Sequence, residues 1–116
     1  MQTPRFQDRT VLITGSTGGI GEALARRFAE EGARLVLVDG DAGRLRQQAE
    51  ALGPEKGLPG GADVSDEAQT HAALKQALER WKRVDVAVLN AGIEGRIALL
   101  EEQHAADFDR VMAVNV

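Results

Sequence analysis

The sequence contains no cysteine, no tyrosine and a single tryptophan. Without cysteine there is no disulfide framework and no thiolate metal site, a composition in keeping with a reducing cytoplasm. Without tyrosine no phenol is available as an acid or base. No apolar run approaches the roughly 20 residues of a membrane span. The N-terminus, Met1-Gln2-Thr3-Pro4-Arg5, lacks the apolar stretch of a secretory signal. There is no basic stripe either. Fourteen Lys and Arg are interspersed with eighteen Asp and Glu, for a net charge of −4, which argues against a nucleic-acid partner. The two histidines, His71 and His104, stand apart with no cysteine beside them, so no metal site is expected.

The 116 residues suffice for one domain with one core. Short apolar runs alternate with helical patterns along the whole chain, which points to βαβ units and a parallel sheet. Strands are expected at 10–14, at 35–38 closed by Asp39, near 58–63 and at 84–89. The first, second and fourth have consecutive apolar residues, as strands buried on both faces do. The third contains Pro59, Gly60 and Gly61 and is expected at the sheet edge. Helices are expected over 19–31, with Ile20, Leu24, Ala25 and Phe28 on its apolar side, and over 42–52, ended by Gly53-Pro54. A third is expected from a Ser65 cap to Trp81, packing through Ala72, Leu74, Ala77 and Leu78. A last one begins near Ala105, with Phe108, Val111 and Met112 on one face. Glu30-Glu31 and Glu101-Glu102 read as solvated faces, and Leu99-Leu100 as loop packing or cover for a ligand.

The densest signal is Thr14-Gly15-Ser16-Thr17-Gly18-Gly19-Ile20-Gly21, between the first strand and the first helix. Close approach of a pyrophosphate to backbone needs residues without Cβ, which Gly15, Gly19 and Gly21 are. The helix that starts there turns free N–H groups and its positive dipole end toward an anion. Asp39, 18 residues beyond Gly21, ends the second strand, where a carboxylate accepts hydrogen bonds from ribose hydroxyls. It would repel a 2′-phosphate, and Gly40-Asp41 after it supplies no cation. Ser16 and Thr17 are not basic either. NAD is therefore expected over NADP, with Arg44 the cation whose side chain could reach the 2′ position.

The spacing T-G-x-x-x-G-I-G resembles that of the short-chain dehydrogenase/reductase family. Asp63-Val64 is similar to the family's adenine-contacting pair, and Asn90-Ala91-Gly92 to its N-A-G motif. Asn115, in Val-Asn-Val, is similar to its active-site asparagine. The resemblance runs from Asp8 to Val116; Leu89 departs from it, standing where many members have a second asparagine. It implies a Rossmann-type doubly wound parallel α/β sheet of order 3-2-1-4, truncated after about four strands. Residues 1–116 would be a dinucleotide-binding domain incomplete on its C-terminal side. It implies cofactor contacts from Gly15, Ser16, Thr17, Gly19, Ile20, Gly21, Asp39, Asp63, Val64, Asn90, Ala91 and Gly92, and a catalytic role for Asn115. The complete family protein would be an oligomeric oxidoreductase moving hydride between the cofactor and an alcohol or carbonyl.

The family's reaction also needs a serine, a tyrosine and a lysine four residues after it. Here the only serines are Ser16 and Ser65, the lysines are Lys56, Lys75 and Lys82, and there is no tyrosine. The expectation is a cofactor-binding part that is inactive alone. The alternative is a stand-alone NAD-binding module without chemistry, or the product of a truncated gene. A methyltransferase with a similar first loop fits the glycine spacing and Asn90-Ala91-Gly92 poorly.

Overall fold

The computed structural model describes residues 4–92 and 98–115. In chain order the elements are β1 (Thr10–Thr14), α1 (Gly19–Glu30), β2 (Arg34–Asp39), α2 (Ala42–Leu52) and β3 (Gly57–Gly61). Then come α3 (Glu67–Trp81), β4 (Val86–Leu89), a 3-10 turn (Leu100–Glu102) and α4 (Ala105–Asn115). All strand pairings are parallel and the sheet order is β3-β2-β1-β4. This is the doubly wound α/β arrangement expected.

Alternation of side chains along β1 and β2 builds two cores, one on each sheet face. Val11, Ile13, Leu35 and Leu37 pack with Ala25 of α1 and with Leu45 and Ala49 of α2. Leu12, Val36 and Val38 pack on the other face with Ala73 and Ala77 of α3. Both central strands therefore have apolar middles, Val11-Leu12-Ile13 and Leu35-Val36-Leu37-Val38, because each face meets a helix.

The edge position of β3 has a physical reason at two of its residues. Pro59 has no N–H to donate, and β3 pairs only with β2. A Cβ at Gly60 would lie 2.9 Å from Ala73 Cβ. The glycine thus lets α3 lie close on the sheet, and Ala73 and Ala77 supply the matching small face.

Several expectations are corrected. Ser65 does not cap α3. Asp66 is the N-cap, its side chain accepting from the Gln69 N–H, and the helix starts at Glu67. Ala73 and Ala77 carry the packing of α3, while Ala72 is exposed, as are Leu74 and Leu78. Strand β4 begins at Val86 rather than Val84 and is covered on one face only. Val86 and Val88 meet the α1 side, while Leu89 is 82% exposed. Ile20 sits exposed at the mouth of α1 rather than in its packed side. On α4, where no burial was expected of one face over another, Phe108 and Met112 are exposed and Val111 and Val114 are partly covered. Leu99 and Leu100 are also exposed. Glu31 is no solvated acid: it pairs with Arg5 and with Arg27 at 3.0 Å, and its side chain is mostly covered.

Candidate functional site

All four strands deliver their carboxyl ends to the same edge of the sheet, where doubly wound folds form their binding crevice. The loop after β1 is built tightly. Gly15 has φ +66°, and a Cβ there would lie 2.9 Å from Ala91 Cα. A Cβ at Gly21 would lie 2.0 Å from Gly15 O, so helix and loop touch backbone to backbone. A Cβ at Gly19 would meet nothing within 4 Å. The N-terminus of α1 at Gly18 has no side-chain cap, and its first-turn N–H groups have no intrahelical acceptors. Loop and helix together offer donors and a positive dipole end to an anion.

Asp39 faces this loop. Its Oδ2 accepts from the Thr17 N–H at 3.1 Å and its Oδ1 from the Asp41 N–H at 3.0 Å. Partial burial pushes the Asp39 carboxyl up, but the hydrogen bonds from Asp41 and Thr17 and the charge of Arg44 outweigh it. The net shift is below the usual aspartate value. Asp39 therefore stays ionised, with lone pairs left for further donors.

Asp63 lies at the next loop. Its Oδ1 accepts from the Ser65 N–H at 3.0 Å and from the Ser65 hydroxyl at 2.6 Å, bonds that hold its pKa low. Ser65 thus serves Asp63 rather than a helix end. The Asp63 N–H donates to Gln69 Oε1 at 3.0 Å, so α3 fixes this loop from its first turn. Arg110 of α4 adds a favourable charge for Asp63.

At β4, Thr14 Oγ1 accepts from the N–H groups of Asn90 and Ala91, both at 3.0 Å. The Asn90 side chain donates to Gly15 O at 3.3 Å. This threonine–asparagine pair clamps the β1 and β4 loops together. Asn115 stands beside them, with its Oδ1 3.4 Å from where a Gly92 Cβ would lie.

One cleft of about 700 Å³ collects these pieces: Gly15, Asp39, Asp63, Val64, Ala91 and Gly92 line it, with Arg110 and Val114 of α4. Ser16, Thr17, Gly19, Ile20, Gly21 and Asn90 are not among its lining residues: Ser16 and Thr17 are buried in the loop after β1, Gly19, Ile20 and Gly21 form the first turn of α1, and Asn90 follows β4. A separate groove of about 720 Å³ between α1 and α2 shares only Thr17 with the site loops. Among the described residues no acid and histidine cluster could hold a metal. No helix there is long and apolar enough to cross a membrane.

Sequence patterning singled out neither Gln48 nor Gln69, nor Thr14 as an acceptor. Gln48 Nε2 donates to Ser16 O and Arg44 Nη2 to Thr17 O, both at 2.7 Å. The available signal was positional: residues 44 and 48 lie one turn apart on α2, on the side near the loop.

Residues 9–116 match the protein family described as short chain dehydrogenase. The chain is 45% identical to levodione reductase of Leifsonia aquatica, over 98% of this chain and 44% of that protein. Its fold matches the crystal structure of 3-ketoacyl-(acyl-carrier-protein) reductase from Brucella melitensis complexed with NADH at a TM-score of 0.91. The two are 39% identical over 96% of this chain and 45% of that one. It matches NAD+-bound xylitol dehydrogenase at a TM-score of 0.90 and 28% identity, over 97% of this chain and 44% of that one. The chain thus spans under half the length of these relatives.

Proposed function

The chain belongs to the short chain dehydrogenase family, and on that premise we propose that its cleft holds a nicotinamide dinucleotide for an oxidoreductase working between an alcohol and a carbonyl. The observation that carries this reading is the joint lining of one cleft by Gly15, Asp39, Asp63 and Gly92. The residues fit such a ligand. The space above Gly19 and the uncapped start of α1 suit a pyrophosphate. The Asp39 carboxylate suits paired ribose hydroxyls. Asp63 keeps Oδ2 for an exocyclic amine, and the Val64 N–H suits a ring nitrogen. Similarity to proteins crystallised with NADH and NAD+ supports the same ligand class.

When bound, the cofactor supplies the hydride acceptor or donor. The chain's own residues bind and orient it. Asn90, Ala91 and Gly92 let backbone pass close at the β4 end, and Asn115 closes on Gly92. NAD is the preferred form, because an ionised Asp39 repels a 2′-phosphate and Arg44 is engaged with Thr17 O. The 116 residues include no tyrosine and no serine outside Ser16 and Ser65. By themselves they hold the cofactor without turning it over. Calorimetric titration of the full chain with NAD+ and NADP+ tests the reading. Tighter binding of NAD+ is expected; tighter or equal NADP+ binding overturns the preference, and binding of neither overturns the site.

A further inference from the structure

Helix α2 reaches the loop after β1 from behind, through two side chains one turn apart. Gln48 Nε2 donates to Ser16 O and Arg44 Nη2 donates to Thr17 O, each at 2.7 Å. These carbonyls belong to consecutive peptide planes. In a trans peptide the C=O of one residue and the N–H of the next point in opposite directions within one rigid plane. Holding the Ser16 carbonyl therefore aims the Thr17 N–H, and that N–H donates to Asp39 Oδ2 at 3.1 Å. Holding the Thr17 carbonyl aims the Gly18 N–H, and that N–H donates to Gly15 O at 3.3 Å, closing the turn. Each α2 side chain thus grips the back of a plane whose front edge makes a contact the site depends on.

The surroundings make this grip consequential. Ser16 is fully buried, and Gln48 Oε1 is shielded from solvent. In such a setting a carbonyl without its donor incurs the full cost of desolvation. The Arg44 guanidinium also lines the groove between α1 and α2 rather than the cleft that holds Asp39 and Asp63.

We propose that Arg44 and Gln48 are positioning residues of the dinucleotide site, holding two successive peptide planes and, through the Thr17 N–H, the Asp39 carboxylate in the arrangement that selects an unphosphorylated ribose. This rests on the cofactor reading above. It assigns Arg44 a role opposite to that of a 2′-phosphate ligand: the arginine sustains NAD preference instead of opposing it.

The test is a set of calorimetric titrations of the full chain and its variants with NAD+ and NADP+, with thermal melts alongside. Gln48→Met and Arg44→Met each remove one donor while keeping a long side chain. Each is expected to weaken NAD+ binding about fivefold to tenfold, the range of one or two net hydrogen bonds. NADP+ binding is expected to fall less, so the NAD+/NADP+ ratio drops. Arg44→Lys keeps one donor and is expected to recover much of the loss. In a double-variant cycle with Asp39→Asn, the effect of Gln48→Met on NAD+ is expected to shrink below twofold, because it acts through the Thr17 N–H on Asp39. A general loss of stability would lower both affinities together and would show neither rescue nor coupling. A selective loss of NADP+ in Arg44→Met, or unchanged NAD+ affinity in both variants, overturns the proposal. Failure of the unsubstituted chain to bind either nucleotide would instead refute the cofactor reading itself.

Discussion

The backbone N–H of Thr17 donates to Asp39 Oδ2 at 3.1 Å, joining the loop after β1 to the end of β2. The acid that would read a ribose is thereby part of the loop that would hold the phosphates. Asp41 secures the other oxygen at 3.0 Å. Binding and specificity consequently share a hinge.

Asp39→Ala removes both the acceptor for the ribose and the anchor of Thr17. Hydrogen bonds to an ionised group are worth about 1.5–3 kcal/mol, so NAD+ affinity should fall roughly tenfold to a hundredfold. NADP+ should lose less, because the repulsion of its 2′-phosphate disappears with the carboxylate. Equal losses for the two nucleotides, measured by calorimetry, would show that Asp39 does not touch the ribose.

Two glycines of the same loop should separate folding from binding. Gly21→Ala places a Cβ 2.0 Å from Gly15 O, which only backbone movement relieves. Overpacking of this kind costs about 1–3 kcal/mol, so the melting temperature should drop along with NAD+ affinity. Gly19→Ala meets nothing within 4 Å. Its melting temperature should stay level or rise slightly, since alanine favours the helix. Its NAD+ affinity should still fall, because the methyl occupies space needed for close approach of the pyrophosphate. Undiminished affinity in Gly19→Ala would place the phosphates elsewhere.

What the sequence made legible follows from which interactions are local. The glycine loop, Asp39 and the covered strands rest on residue types with few substitutes: glycine for close backbone approach, consecutive Val, Leu and Ile for strands covered twice; the order 3-2-1-4 was implied by the family resemblance of the motifs. Edge placement of β3 was readable because proline lacks an N–H. The α3 cap was misplaced because Ser65 and Asp66 both suit an N-cap, and only the fold shows that Ser65 is spent on Asp63. The packing face of α3 was misread because leucine outweighs alanine in a periodicity argument. Yet Gly60 brings the helix so close that alanine is what fits. The bonds from Arg44 and Gln48 to the loop were hidden because their acceptors are backbone carbonyls about thirty residues away, which leave no mark in side-chain patterning.

At the opposite pole of the sheet, Asp85 accepts from the Thr10 N–H at 2.9 Å and from Arg83 Nη2 at 2.6 Å, with Arg9 at 3.6 Å. The Arg83 hydrogen bond, then that of Thr10, holds its pKa down to about 2. A carboxyl depressed in the folded state stabilises fully above its unfolded value of about 3.9. That contribution is lost as pH falls from there through about 2. Acid melts should accordingly show a steeper loss of stability between about pH 4 and pH 2 in the unsubstituted chain than in Asp85→Asn. Parallel pH profiles would show that Asp85 contributes nothing to the junction of β1 and β4.

The open face of β4 should govern how the 116-residue chain behaves in solution. Strand β4 is the last in the order β3-β2-β1-β4, and a strand paired on one side offers its free N–H and C=O groups to another chain. Its apolar side is uncovered too: Leu89 is 82% exposed, with Phe108 at 65% and Met112 at 43% on α4. Apolar surface beside an unpaired edge favours association. Sedimentation of the 116-residue chain should therefore show species larger than a monomer, growing with concentration. Leu89→Lys puts a charge on the strand and should shift the distribution toward monomer; Phe108→Glu should do the same from the helix. If the unsubstituted chain sediments as a monomer throughout and melts cooperatively, neither the edge nor the exposed apolar face is driving association.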